Sequence, residues 1–413
     1  MRKTIALIGA LDTKGKEFAF VSEAIAGRGH DALVINTGVM GEPAFSPDVE
    51  AEEVAQAGGS SLAALREKAD RGQAMDVMTR GIADVIVQLY DAGSIDGVLA
   101  MGGSAGTAIG TSAMRALPVG FPKVMVSTMA AGDTAPYVGS KDVVMIPSVV
   151  DVAGINSISA RIFANAAGAI VGMVETPAPN VVQKPLVAAT MFGNTTPLVD
   201  RCRETLEAAG GPAGTGYEVL VFHATGAGGR TMESLIDEGL VSAVLDVSPT
   251  EWADELVGGV LTAGPTRLEA AARQGIPQVI VPGCLDMVNF WARNTVPDKF
   301  SNRLFYEWNP NVTLMRTTPE ENAELGRILA EKTNASAGPV AFFLPLQGVS
   351  MLDAPGKAFW WPEADRALFE AIKKHARSDS IVREMNNNIN DQEFADAVVG
   401  QLLAWRAEDG GWS

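Results

Sequence analysis

Gly102, Gly103, Ser104, Gly106 and Thr107 fall together in MGGSAGT, directly after the apolar run IDGVLA, and two chemistries suit that pattern. Gly102, Ser104 and Gly106 satisfy the G-x-S-x-G spacing of a hydrolase nucleophile elbow, which holds a serine exposed on a sharp strand-to-helix turn. The same glycines also remove side chains where a phosphate must reach backbone amides, and Ser104 and Thr107 add hydroxyl donors at the start of the next helix. Thr13 and Lys14 in GALDTKGKE would bring a hydroxyl and a positive charge from a neighbouring loop. The stretch is neither a P-loop nor a G-x-G-x-x-G fingerprint. Without a ligand, the glycines would simply make tight turns. A hydrolase needs a histidine, itself oriented by an acid, beside Ser104. The chain has 3 histidines: His30 precedes Ser104 against the hydrolase order, His223 lies far downstream, and His375 sits in the basic stretch AIKKHAR. No HGGG-type oxyanion segment precedes Ser104, so the phosphate reading is the better one.

A second constellation lies in VLVFHATGAGGRTMESLI, again an apolar run, a glycine loop and a helical pattern, now with His223 and Arg230. Nearby run ends carry Asp246, Thr250 and Glu251 in LDVSPTEW, Gly264 to Arg267 in AGPTRLEA, and Cys284 and Asp286 in PGCLDMVNF. A histidine, an arginine and several carboxylates at one sheet edge suit acid–base chemistry or recognition of an anionic substrate, with His223, Arg230, Asp246, Glu251 and Asp286 as the catalytic candidates. Read alone, His223 is a satisfied, buried histidine and Arg230 pairs with one of those acids. No H-E-x-x-H, C-x-x-C or calcium-loop pattern occurs, so a metal is expected only as magnesium accompanying a nucleotide.

The elements that must position these residues are short apolar runs alternating with amphipathic stretches. TIALIGA, DALVINT, DGVLAMG, KVMVST and VVMIPS read as strands, and KEFAFVSEAIAGRG and QAMDVMTRGIADVIVQLYDAG as helices between them. Apolar runs without alternation are strands covered on both faces, which predicts a parallel sheet between helices. Residues 151–175, rich in small residues, read as one helix suited to an interdomain or dimer contact. TPAPNVVQKP breaks the pattern as an extended connector. The alternation then restarts with PLVAATMFGNTT, YEVLVFHATGAGG, VSAVLDVSPTE, IPQVIVPGCLD, NVTLMRTT, PVAFFLPLQG and SIVREMNNNIND. The expected fold is α/β, with two Rossmann-like subdomains, each a mostly parallel sheet flanked by helices, at 1–180 and 184–413. Ligands in such sheets gather outside the carboxyl ends of the strands.

Composition narrows the function classes. A chain of 413 residues with 47% hydrophobic residues can bury two cores. Its net charge of -17 and the lack of a basic cluster exclude nucleic acid as the expected partner. Two cysteines, Cys202 and Cys284, without paired spacing fit a reducing compartment, and a cytoplasmic location is expected. The start MRKTIALIGALDTKGK mimics a signal peptide, but its apolar run is short and meets Asp12 and Lys14, so it reads as a buried strand. No apolar stretch reaches the roughly 20 residues of a membrane helix.

GALDTKGKE, ADRGQAMDVM, MGGSAGT, PKVMVSTMAAGDT, PSVVDVAGIN, FHATGAGGRTME, AGPTRLEAA and PGCLDMVNFW, in that order across nearly the whole chain, resemble an uncharacterised family related to the ATP-binding amino-terminal domain of the tomato mosaic virus resistance protein. The resemblance implies two Rossmann-like subdomains, ATP as ligand, possession of no settled reaction, and a homodimer or higher homo-oligomer. It assigns the nucleotide to Thr13, Lys14, Thr37, Gly102, Gly103, Ser104, Gly106 and Thr107, with Arg71 and Gln73 as further contacts. It also implies that plant relatives carry a further barrel domain, which this chain is expected to lack. The leading expectation is therefore an ATP-binding protein. The alternative is a phosphotransfer or hydrolytic enzyme acting on a small anionic metabolite at the His223/Arg230 edge.

Overall fold

Alternate residues of a strand point to opposite faces, so a strand apolar at every position needs cover on both sides. The first half of the chain forms five strands, β1 (Thr4–Gly9), β2 (Asp31–Asn36), β3 (Gly97–Gly102), β4 (Lys123–Ser127) and β5 (Val144–Pro147), of which the central β1, β3 and β4 are buried almost throughout while the edge strand β5 is not. The helices are α1 (Leu11–Ala26), α2 (Ala51–Ala57), α3 (Leu62–Lys68), α4 (Arg71–Asp91), α5 (Ser104–Ala116), α6 (Ala135–Val138) and α7 (Ser159–Glu175). All strand pairs are parallel, in the order β2-β1-β3-β4-β5. Ile5 and Leu7 of β1 pack with α1 and α7, whereas Ala6 and Ile8 pack on the other face with α2, α4 and α5. The computed structural model describes residues 1–180, 182–210 and 216–409, in two units, Met1–Asn180 and Val181–Ser413. Val181 of the proline-rich connector and residues 410–413 of the expected second domain lie outside the described residues.

The second unit continues with β6 (Leu186–Met191), β7 (Glu218–His223), β8 (Ala243–Asp246), β9 (Gln278–Ile280), β10 (Met287–Phe290), β11 (Phe305–Asn309), β12 (Val312–Arg316), β13 (Val340–Pro345) and β14 (Ile381–Met385). Its helices are α8 (Thr196–Ala208), α9 (Ala227–Asp237), α10 (Glu251–Val257), α11 (Ala270–Gln274), α12 (Pro319–Asn334), α13 (Pro362–His375) and α14 (Gln392–Asp409). Six strands form a parallel sheet in the order β14-β13-β9-β8-β6-β7. In both units the first strand lies between the second and the third, so the two sheets share one winding. One face carries α8 and α14, and the other carries α9, α11, α12 and α13.

The structure adds to one sequence expectation and corrects another. NVTLMRTT does form a strand, β12, but it sits in a separate antiparallel sheet, β10-β12-β11, rather than in the parallel one. Residues 151–175 are helical only from Ser159. Gly154 adopts φ +79, a left-handed conformation that ends a helix, and Asn156 Oδ1 instead accepts from the Ile158 and Ser159 amides at 2.9 and 3.0 Å, capping the later start. Phe163, Ala166, Ala167, Ile170 and Val171 of that helix are buried in the core of the first unit against α1 and the sheet. The signal-like start is β1, fully within the sheet. Among the described residues no helix is long and apolar enough to cross a membrane, and Cys202 and Cys284 are buried free thiols.

Close helix approach fixes the first unit. A Cβ on Gly81 of α4 would lie 1.8 Å from the Val54 carbonyl oxygen of α2, so only glycine lets the two backbones meet. The second unit is fixed partly by charge. Arg316 is fully buried; its Nη2 donates to Asp365 at 2.7 Å and lies 3.5 Å from Asp353, while Asp286 accepts from the Ser350 hydroxyl at 2.8 Å. One guanidinium thus faces three buried carboxyls. Burial, and then the neighbouring Asp353 charge, push Asp286 up to about 7 and Asp365 up to about 8, with Arg316 opposing.

Gly81→Ala is expected to lower the stability of the first unit by roughly 1–3 kcal/mol, read as a shift in its chemical-denaturation midpoint; an unchanged midpoint contradicts the close α2–α4 approach. The raised carboxyls predict a pH effect of definite sign. Unfolded aspartates release their protons as pH climbs through the ordinary aspartate value of 3.8, while Asp286 and Asp365 keep theirs until about 7 and about 8. Between those limits the unfolded state holds fewer protons, so stability falls as pH rises. The thermal midpoint of the second unit should decline from pH 5 to 8, and Asp365→Asn should flatten the decline. An equal slope in the variant would remove this cluster as its cause.

Candidate functional site

Parallel strands bring all their carboxyl ends, and the amino ends of the helices that follow, to one edge of the sheet. In the first unit the chain leaves β1 toward β2 on one side and then crosses to β3 on the other, so the loops diverge and leave a crevice. Asn36, the polar end of an otherwise apolar strand and only 2% exposed, ties two of those loops. Its Oδ1 accepts from the Leu11 amide at 3.1 Å and the Gly38 amide at 2.9 Å. The Thr37 amide donates to the Gly9 carbonyl at 2.9 Å. Asp12 Oδ2 accepts from the amides of Gly41 at 3.0 Å and Met40 at 3.2 Å, whereas Oδ1 is buried without a partner among the described residues. Together they leave a cavity of about 530 Å³. Asp12, Thr13, Thr37, Asp70 and Arg71 line its polar part, Ala105 and Gly106 bring in the start of α5, and Leu65, Met75, Met78 and Ile109 form an apolar wall.

The start of α5 is open. The residue preceding it is Gly103, and no side chain caps the helix among the described residues, so the first amides of α5 have no partner within the helix. A Cβ on Gly102 would meet Gly106 Cα at 2.8 Å, so Gly102 is needed for the tight turn. A Cβ on Gly103 would meet nothing nearer than Thr128 Oγ1 at 3.8 Å; the space above it is free. Ser104 is exposed. Thr107 is buried, and its hydroxyl is used internally, donating to the Gly103 carbonyl at 2.8 Å and lying 2.6 Å from Ser127 Oγ.

The remaining first-unit candidates stand apart from the cavity. Lys14 breaks the first turn of α1 with φ -129 and ψ 22, and its ammonium donates to the Val152 carbonyl. Gln73 contributes its amide to the Asp70 cap of α4 at 3.1 Å. The first unit's one histidine, His30, is buried before β2 with Nε2 3.0 Å from Glu175. That is the opposite end of the sheet from Ser104, about 20 Å along the strands at the usual rise per residue. The first unit therefore assembles no nucleophile elbow.

In the second unit the corresponding glycine loop is already filled. Glu251 is 1% exposed, and its Oε1 accepts from the amides of Gly226 at 2.6 Å and Gly229 at 3.0 Å, at the start of α9. Its Oε2 accepts from Arg267 Nε at 2.8 Å. Arg267, also buried, is bidentate to Asp246 at 2.5 and 2.8 Å and reaches Glu233 at 3.1 Å. Burial alone would lower the Arg267 pKa, but the Asp246 and Glu251 carboxylates hold it well above the ordinary arginine value. Asp246 also accepts from the Thr190 hydroxyl at 2.8 Å. Asp246 and Glu251 thus form one buried ion cluster with Arg267, and Asp286 lies in the separate Arg316 cluster.

His223 and Arg230 differ from the ligand-free expectation. Arg230 donates to the Thr262 carbonyl at 2.9 Å, not to a carboxylate, and His223 is exposed rather than buried. His223 borders a cavity of about 410 Å³ at the carboxyl ends of β6 and β7, roofed by the antiparallel sheet. Sequence reasoning missed Asn36, Asp12 and this roof. The polar residue closing DALVIN was a visible signal for Asn36; nothing local marks the others. Among the described residues no group of three or more His, Cys, Asp or Glu side chains could hold a metal ion.

A UPF0261 protein of Clostridium tetani (strain Massachusetts / E88) is 53% identical over 98% of this chain and 99% of its own. The tomato (Solanum lycopersicum) ToMV resistance protein Tm-1(GCR237) is 42% identical over 81% of this chain, which corresponds to 44% of the tomato protein. Among solved structures, a UDP-N-acetylglucosamine 2-epimerase from Rickettsia bellii covers 98% of this chain and 96% of its own at 10% identity, but with a TM-score of 0.24 it says nothing of ligand or reaction. The N-terminal domain of the uncharacterised protein family UPF0261 matches residues 3–179 and its C-terminal domain residues 184–406, and the chain belongs to that family.

Proposed function

We propose that the first unit binds ATP in the crevice outside β1, β2 and β3. The observation that carries this reading is the uncapped start of α5 opening beside a cavity of about 530 Å³ with one apolar wall. A triphosphate is answered by the free amides around Gly103 to Gly106, assisted by the Thr13 hydroxyl and the Arg71 guanidinium. Leu65, Met75, Met78 and Ile109 suit the faces of a purine. Asp12 and Asp70 line the same cavity, and two carboxylates beside a triphosphate repel it, so the nucleotide is best accommodated with magnesium. Asp12 Oδ1, buried and unpartnered, fits such an ion or a ribose hydroxyl. The resemblance of the sequence to an ATP-binding domain agrees with this choice of nucleotide.

The alternative, an enzyme working on a small anionic metabolite at the His223/Arg230 edge, draws less support. Asp246 and Glu251 are both engaged by Arg267, and Arg230 is not among the residues around the His223 cavity.

Calorimetric titration of the full chain with magnesium ATP tests the proposal. Saturable binding is expected, stronger for ATP than for AMP. Gly103→Val fills open space in the free protein but stands between phosphate and amides, so it should weaken binding at least about tenfold, some 1.4 kcal/mol, with an unchanged melting curve. His223→Ala should bind as the parent does. Absence of binding by the intact chain, or normal binding by Gly103→Val, rejects the site.

A further inference from the structure

The cavity beside His223 belongs to neither the nucleotide crevice nor the ion clusters. Its floor comes from the loops after β6 and β7, through Phe192, Asn194, His223 and Thr225, and its walls from Trp291 after β10, Trp308 in β11 and Leu314 in β12. At about 410 Å³ it is in the size range of small-molecule sites. Three features define what would fit. First, no Lys, Arg, Asp or Glu lines it among the described residues, so a charged ligand would lose its hydration without gaining a counter-charge. Second, its aromatic side chains are left partly unpacked: Trp291 is 52% and Trp308 46% exposed, although both line the cavity. Aromatic surface held open in this way favours a flat ring that can stack or pack edge-on. Third, Asn194 is 1% exposed and lines the cavity, yet its Oδ1 has no hydrogen-bond partner among the described residues. A buried acceptor left unpaired is costly, and a ligand N–H or O–H would satisfy it.

We propose that this cavity is a second small-molecule site, selective for an uncharged, planar ring compound bearing a hydrogen-bond donor, with Trp291 and Trp308 as the aromatic walls and Asn194 as the acceptor. His223 is its one titratable lining group and supplies a second polar contact. The proposal does not rest on ATP binding in the first unit. The neutrality of the lining also distinguishes it from a site for an anionic metabolite.

The test uses the full chain and three probes of similar size: indole, which is flat and neutral with an N–H; toluene, flat and neutral without a donor; and benzoate, flat and anionic. Binding is followed by ligand-observed NMR titration. Indole should bind saturably, and benzoate at least about tenfold more weakly. Trp291→Ala, at a half-exposed position that the fold does not depend on, should weaken indole at least about tenfold. Asn194→Leu should retain toluene binding and abolish the preference for indole over toluene. A melting curve of each variant confirms folding. No saturable indole binding, equal affinity for benzoate, or indole binding untouched by both Trp291→Ala and Trp308→Ala overturns the proposal. It is equally overturned if Trp291→Ala changes only the sedimentation of the chain, because the tryptophans then cover an interface between copies.

Discussion

The amino ends of helices, gathered at one edge by parallel strands, carry N–H groups that no residue of their own helix can accept, and the chemistry of this protein depends on what answers them. Most are answered internally. Asp70 caps α4 through the Gln73 amide at 3.1 Å, and Thr318 with Glu321 forms a reciprocal capping box at α12. At α9 the acceptor is a carboxylate from elsewhere in the unit, Glu251, whose Oε1 lies 2.6 Å from the Gly226 amide. At α5, among the described residues, no side chain does this. Glycine content does not separate the two loops, since GGSAG and TGAGG are alike in that respect. The presence or absence of a built-in anion does.

Plugging a helix end with a buried carboxylate has structural consequences. Glu251 brings a negative charge to a site 1% exposed, and Arg267 must follow it inside. Arg267 in turn holds Asp246 and Glu233, and Glu233 accepts from the Leu268 and Ala270 amides at 2.8 Å. Leu268 takes φ +75 to make that turn, an uncommon conformation for a bulky residue. A buried network of this kind adds little net stability compared with an apolar replacement, while removing a single member typically costs about 3–5 kcal/mol. It serves to pin loops after β7 and β8 and the AGPTRLEA turn in one arrangement. Asp246 and Glu251 are both engaged by Arg267, and Glu251 also by the Gly226 and Gly229 amides, so both carboxylates already have partners inside the fold.

The central parallel strands were readable because each is covered on both faces, which leaves a continuous apolar run in the sequence. β10 was not, because four residues of MVNF continue a loop without a turn signal, and a strand's apolar pattern does not reveal whether its neighbour is parallel or antiparallel. That is why the sequence marks NVTLMRTT as a strand without saying which sheet it joins. The non-helical stretch 151–158 was misread because its small apolar residues are compatible with a helix, and only the backbone at Gly154 and the cap at Asn156 separate it. At the candidate sites, local spacing gave the glycine bend and the residues around it, including Thr13 and Gly106 at the cavity. Arg267 could not be paired from sequence, because its partners lie 16 to 34 residues away and meet it only through the fold. Lys14 shows the opposite limit: its nearness in sequence to Thr13 does not reveal the kink that sends its ammonium to the Val152 carbonyl.

One winding, used twice, produces two crevices of different character because their walls come from outside the sheet. In the first unit α3 and α4 supply Leu65, Met75 and Met78 together with Asp70 and Arg71, so the crevice has charged as well as apolar sides. In the second unit the chain inserts three antiparallel strands between β9 and β13, and these place Trp291 and Trp308 over the ends of β6 and β7. Several acids of the second unit are meanwhile held in the interior by Arg267 and Arg316, and among the described residues no Lys, Arg, Asp or Glu lines its cavity. The sheet therefore fixes where a ligand could lie, and the connections between strands fix which side chains would meet it, so the same topological crevice is lined by acids and an arginine in one unit and by aromatic rings in the other.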